Sequence, residues 1–164
     1  MNRLPRSRSL LAIAPAFAAF LFMQACGGSD NAVAQEAADP FEGVWEGPVT
    51  LRDCTTSAVL ASFQGSQVFH RGGTMSDTNS APTSSRGPGF GTWMKSGTNY
   101  IVKFRLYTYD PTTGAPSGVV RTTRTVTVAP GGTTATSVNT SQIFDMTGAL
   151  VRSGCGSDTS THVL

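Results

Sequence analysis

Two segments of the chain combine basic and aromatic side chains with glycines in a way that could hold a small ligand. In 70–74, HRGGT, the paired glycines allow a bulge or a close backbone approach, and the basic side chains could address an anionic head group. In 86–93, RGPGFGTW, a basic side chain and an indole flank a glycine-rich turn. The competing interpretation is that the glycines only make turns and the aromatic side chains fill a core. The candidate ligand-binding residues are His70, Arg71, Arg86, Trp93, Tyr100 and Phe104.

The sequence offers little for catalysis or metal binding. It has no G-x-S-x-G segment, and only His70 and His162 could act as an imidazole base. The carboxylates are scattered singly, the histidines lie far apart, and the glycine pairs lack the lysine of a phosphate loop. We therefore predict no catalytic residue, no metal and no cofactor.

The N-terminus is typical of an exported protein. Three arginines precede residues 10–23, an uncharged and mostly apolar run of 14 residues that is too short for a membrane span but fits a signal peptide. Cys26 follows, after a small residue, and this pattern resembles a bacterial lipobox. The resemblance implies that 1–25 are removed and that Cys26 is diacylated. Cleavage after the A-x-A of 32–34, giving a soluble periplasmic protein, and an uncleaved anchor remain alternatives.

The remaining cysteines fit an exported protein. With Cys26 removed or acylated, Cys54 and Cys155 form an even pair, which in an oxidising periplasm most simply makes a disulfide. A metal or redox pair is the alternative, although no histidine adjoins either cysteine. The disulfide would join the end of the first strand to the last strand.

Composition indicates an all-β domain. After cleavage before Cys26, nine basic residues face ten acidic ones, a net charge of about −1, so no basic patch indicates nucleic acid. Glycine and threonine are abundant and charged residues scarce, which favours short strands and tight turns over helices. Residues 26–40 are small and polar and predict a flexible tether, followed by a single domain at 41–164.

Period-two alternation predicts about eight strands. In 99–109, Tyr100, Val102 and Phe104 share one face, and Lys103 and Arg105 share the other. The segment 79–89 predicts a long loop that is either a lid or a disordered connection. The expected strands are 43–52, 59–70, 72–78, 90–95, 99–109, 118–128, 134–144 and 148–155, with a ninth short strand near 159–163.

Serial hairpins of similar length predict an antiparallel up-and-down barrel, with a sandwich as the alternative. In a closed barrel the first and last strands are neighbours, which would explain the cysteine pair.

Gly43-Val44-Trp45 resembles the G-x-W segment that opens lipocalins and related calycin barrels. The resemblance implies that Trp45 plugs the closed end of the barrel and that Arg121, Arg124 or Arg152 stacks on it. The chain also resembles small proteobacterial exported proteins with a G-x-W start and segments like 69–74 and 86–93, a likeness that implies no activity.

These features predict a periplasmic protein, anchored to the outer membrane only through the lipid on Cys26. The favoured function is non-enzymatic binding of a small apolar or amphipathic ligand inside the barrel, with Arg71 and Arg86 near its mouth. Two alternatives stay open: an envelope lipoprotein with a filled barrel that binds a partner, and a calycin-type isomerase or cyclase.

Overall fold

The computed structural model describes residues 37–163. Cys26, the predicted signal peptide at 1–25 and most of the predicted tether at 26–40 therefore lie outside the described residues. Strands β1 to β8 are Gly43–Arg52, Val59–His70, Thr74–Asn79, Gly89–Ser96, Asn99–Tyr109, Pro116–Val128, Thr134–Phe144 and Leu150–Val163. Between 37 and 163 there is no helix, and hence none long and apolar enough to cross a membrane.

The strands form one closed antiparallel barrel in sequence order, which confirms the predicted lipocalin-like up-and-down architecture. Each strand pairs with its successor, and β1 pairs with β8 from Val44 opposite Val163 to Arg52 opposite Cys155. The predicted disulfide is confirmed: Cys54 and Cys155 are bonded, with their Cα atoms 5.0 Å apart, at the seam between first and last strands. This closure excludes the sandwich.

Several predicted strand boundaries differ from the structure by one or more residues, and two of these differences involve glycine. Gly72 and Gly73 have φ of 89° and 86°, so they form the β2–β3 turn, and β3 begins at Thr74. The expected break after residue 155 does not occur, and β8 continues to Val163. Residue 156 lies inside this strand and is a glycine because a Cβ there would come within 2.7 Å of the Asn139 side chain on β7.

The barrel has two different ends. At the plug end lie the turns 71–73, 97–98 and 129–133, and at the mouth end lie the connections 53–58, 80–88, 110–115 and 145–149. The buried apolar core gathers at the plug end: Phe41, Trp45, Phe69, Met75, Tyr100, Val102, Val126 and Ala135. The mouth half of the interior is therefore not filled by this core.

Trp45 plugs the barrel as the lipocalin resemblance implies, but its stacking partner is a histidine. Its ring stacks on that of His162, with centroids 4.8 Å apart and the planes inclined by 24°, and its Nε1 donates to the carbonyl of Phe41 at 3.0 Å. Arg124 instead forms an ion pair inside the barrel, and Arg121 lies over the Phe144 ring.

Candidate functional site

The predicted site residues separate into two groups at opposite ends of the barrel. Trp93 and Tyr100 join the aromatic core of the plug end, where the Phe41 ring contacts both, with centroids 5.5 and 4.4 Å away. The Tyr100 hydroxyl donates to the Asp39 carboxylate at 2.6 Å. Burial raises the pKa of Tyr100, and the nearby Asp39 carboxylate raises it further. The sequence predicts that Trp93 and Tyr100 line a ligand cavity, but in the structure they help to fill the plug end of the barrel instead.

His70 and Arg71 also lie at the plug end, beside the β2–β3 turn. The exposed His70 ring contacts the Ser76 hydroxyl at 3.2 Å, and Arg71 lies 3.5 Å from the carboxylate of Glu42. Arg71 and Arg86 thus occupy opposite ends of the barrel, and only Arg86 belongs to the mouth half.

Arg86 and Phe104 line a cavity of about 210 Å³ in the mouth half of the barrel. Its wall is largely apolar. On β1, β2, β5 and β6 every second residue faces inward, and in the mouth half most of these inward-facing residues are apolar. The apolar lining residues are Val49, Leu51, Phe63, Phe104, Leu106 and Val120.

The inner side of this cavity, next to the aromatic core, is a layer of buried polar side chains that we call the polar floor. It consists of Gln67, Asp77, Arg86, Arg124, Ser137, Asn139 and Asp158.

Arg124 is the centre of the polar floor. It is 4% exposed, and its Nη2 donates to both carboxylate oxygens of Asp158 at 2.7 and 2.6 Å. Its Nε and Nη2 also donate to the Ser137 hydroxyl, and its Nη1 donates to the amide oxygen of Gln67. Burial lowers the pKa of Arg124, and the charges of Asp158 and Asp77 oppose that shift. A buried charge is tolerated only when it is paired in this way.

A second ion pair continues the floor toward the mouth. Gln67 Nε2 donates to Asp77 at 3.0 Å, and the other oxygen of Asp77 accepts from Arg86 Nη2 at 2.6 Å. Two arginines and two aspartates are therefore linked through one glutamine, and their formal charges cancel.

The connection 80–88 places Arg86 over this floor. The amide of Gly87 donates to the carbonyl of Tyr107 at 2.9 Å, and Tyr109 donates to the carbonyl of Ser85 at 3.0 Å. Arg86 and Thr108 form an isolated β-bridge. The predicted loop is thus paired along the edge of β5, which directs the Arg86 side chain into the barrel.

Three buried polar atoms of the cavity lining have no hydrogen-bond partner among residues 37–163. They are Nε and Nη1 of Arg86 and Oδ1 of Asn139. Nearly all buried polar groups in proteins have a partner from the protein or from water, so these atoms are hydrogen-bonding capacity that the side chains and backbone of residues 37–163 do not use.

Most residues of the polar floor cannot be recognised in the sequence. Gln67, Asp77, Asn139 and Asp158 are single polar residues without a recognisable spacing, and they meet only when four strands close into a barrel. One signal was present: Arg124 occupies an inward-facing position of β6, where a charge needs a buried partner.

The described part of the chain has no cluster of three or more histidine, cysteine or acidic side chains that could hold a metal ion. On the outer surface, Lys103, Arg105 and Arg121 border a shallow groove with Phe90, and Arg105 lies directly opposite Arg121. No known family model matches the sequence, and no curated protein matches it either.

Proposed function

We propose that this chain is an exported, lipid-anchored β-barrel protein that binds a small amphipathic ligand inside the barrel, without catalysis. The observation that carries the proposal is the cavity in the mouth half, with an apolar wall above a polar floor. Such a combination of apolar walls and a few placed polar groups is characteristic of small-molecule sites.

The cavity volume limits the ligand to a small molecule. An engineered apolar cavity of about 150 Å³ holds benzene, and sites for drug-sized ligands start at about 300 Å³. The volume of about 210 Å³ lies between these values, so the cavity suits a ligand of roughly ten non-hydrogen atoms.

The cavity favours binding over the alternative of a filled barrel. The aromatic core fills only the plug end, and Leu106 and Val120 face each other across the β5–β6 pair without closing the mouth half. A protein whose barrel served only as a rigid support for its outer surface would have no need for a cavity lined by unpartnered polar atoms.

The polar floor favours binding over catalysis as well. An isomerase or cyclase needs a carboxylate or another base that is free to move a proton. Both carboxylates of the floor, Asp77 and Asp158, accept hydrogen bonds from arginines. They are engaged in holding Arg86 and Arg124.

Export is supported by the N-terminal pattern and by the disulfide, and the lipid anchor is supported by the N-terminal pattern alone. A bond between Cys54 and Cys155 is typical of proteins in an oxidising compartment such as the periplasm. Native mass spectrometry of the protein purified from its own envelope tests both parts of the proposal. We expect the mass of a chain that begins at a diacylated Cys26, together with a retained small molecule.

A probe experiment tests the cavity directly. We expect fluorobenzene to bind the purified full-length chain, with a shifted and broadened ¹⁹F NMR signal. Leu106→Trp fills the cavity and should abolish this binding. Tyr107→Trp introduces the same side chain on the outer face of β5 and should preserve it. Absence of fluorobenzene binding together with absence of a retained ligand would refute the proposal, and so would equal binding by both variants.

A further inference from the structure

The unpartnered polar atoms of the cavity lining include both hydrogen-bond donors and a hydrogen-bond acceptor. Nε and Nη1 of Arg86 can only donate, whereas Oδ1 of Asn139 can only accept. The Arg86 side chain is 9% exposed and Asn139 is 8% exposed, so bulk solvent does not reach either group freely. A ligand whose polar group accepts from Arg86 and donates to Asn139 should therefore bind more tightly than one that leaves these buried atoms without partners.

Two glycines hold these groups in place by leaving room beside them. A Cβ at residue 156 would come within 2.7 Å of Oδ1 and 2.9 Å of Nδ2 of Asn139. A Cβ at residue 89 would come within 3.0 Å of the Asp77 carboxylate that holds Arg86. Larger residues at either position would displace the polar floor.

The floor has no uncompensated charge for an ionic ligand to neutralise. Arg124 pairs with Asp158 and Arg86 pairs with Asp77, so the two buried cations already face two buried anions. A ligand carboxylate would add a third anion to this layer, and an ammonium group a third cation. Burying an unpaired charge costs far more than burying a hydrogen-bonded neutral group.

We propose that the polar group of the ligand is uncharged and both accepts and donates hydrogen bonds, as a carboxamide or a hydroxyl does. The inference rests on the proposed binding function and names the ligand class for the same cavity. The group accepts from Arg86 and donates to Asn139, and the apolar part of the ligand lies against Phe104 and the aliphatic wall. A carboxylate satisfies only the first of these contacts, because it has no donor.

Three aromatic probes separate the possibilities: fluorobenzene, and the larger pair 4-fluorobenzamide and 4-fluorobenzoate. The amide and the carboxylate differ in charge and in donor capacity while keeping almost the same shape. With the full-length chain at pH 7, ¹⁹F NMR titrations should give 4-fluorobenzamide at least tenfold tighter than 4-fluorobenzoate. It should also bind more tightly than fluorobenzene.

Two conservative variants locate the preference. Arg86→Lys keeps a cation beside Asp77 but lacks Nε and Nη1, the two unpartnered donor atoms, because its one ammonium nitrogen takes the place of Nη2 at Asp77. Asn139→Leu removes the acceptor at similar volume. Each should reduce the preference for 4-fluorobenzamide over fluorobenzene at least threefold while fluorobenzene itself still binds. Thr140→Val, on the outer face of the same strand as Asn139, is the matched control and should change neither.

The outcomes distinguish failure of this inference from failure of the proposed function. Tighter binding of 4-fluorobenzoate, or equal binding of all three probes, overturns the uncharged ligand and leaves a binding cavity. Retention of the amide preference in both variants also overturns it. Absence of binding by all three probes overturns the inference, and together with the absence of a retained ligand it also refutes the proposed function.

Discussion

Replacing Arg124 by methionine tests whether the polar floor is one coupled unit. Methionine retains much of the side-chain volume but removes the guanidinium, which makes five hydrogen bonds to three side chains. Among the side chains of residues 37–163, Asp158 would then keep the Ser137 hydroxyl as its one hydrogen-bond partner. Removing one partner of a buried ion pair typically destabilises a protein by about 3–5 kcal/mol.

The assay is urea unfolding followed by tryptophan fluorescence at pH 7. With a denaturant slope of about 2 kcal/mol per molar, a loss of this size moves the urea midpoint down by about 2 M. Arg105→Met is the matched control, because Arg105 lies on the outer face of β5 and should change stability by no more than about 0.5 kcal/mol.

A second variant separates loss of the charge pair from loss of packing. Adding Asp158→Asn to Arg124→Met removes the unpaired charge, so the double variant should recover about 1–3 kcal/mol relative to additivity. The reasoning is refuted if Arg124→Met costs less than 1.4 kcal/mol, roughly tenfold in the folding equilibrium. It is equally refuted if the two substitutions are additive.

Three further predictions concern the seam, the mouth turns and a close strand contact. The Cys54→Ser/Cys155→Ser double variant should lose up to about 4.7 kcal/mol of unfolding free energy in the same urea assay, since the disulfide closes a loop of 101 residues; a loss below 1 kcal/mol would contradict this. Hydrogen bonds from the Thr147 side chain and from backbone amides lower the pKa of Asp145 below 3.8, so it stabilises the fold above about pH 4 and loses that contribution as the pH falls through its folded-state pKa. Asp145→Ala should therefore lower the Tm at pH 7, with a smaller difference from the unmodified chain at pH 2.5, and a difference that grows on acidification would count against the assignment. Gly47→Ala should disrupt the β1–β8 seam because its Cβ would lie 2.0 Å from a backbone carbonyl of β8, whereas the control Gly154→Ala meets nothing nearer than 3.9 Å and should fold normally by circular dichroism.

The barrel could be predicted because alternation and turns are patterns of neighbouring residues, which a single sequence displays. Alternation in β5 and β6 places Val102 and Val126 inside and Lys103 outside, and serial turns order the strands. The cysteine pair added the one long-range constraint, that first and last strands are neighbours.

The site was less predictable because it depends on contacts between distant strands. Tyr100 and Trp93 are aromatic residues that could line a ligand-binding wall, yet they pack against each other and against Phe41 in one cluster. Arg86 meets Asp77 only because residues 85–87 pair with β5, which turns the guanidinium inward. Neither arrangement has a periodicity or spacing that a single sequence displays.

Phe41 lies in the aromatic plug, so the described chain enters the barrel at the end opposite the mouth. Residues 37–42 therefore complete the closed end, and none of them lines the cavity in the mouth half. A substitution at Phe41 would loosen the packing around Tyr100 and Trp93 without touching the cavity wall.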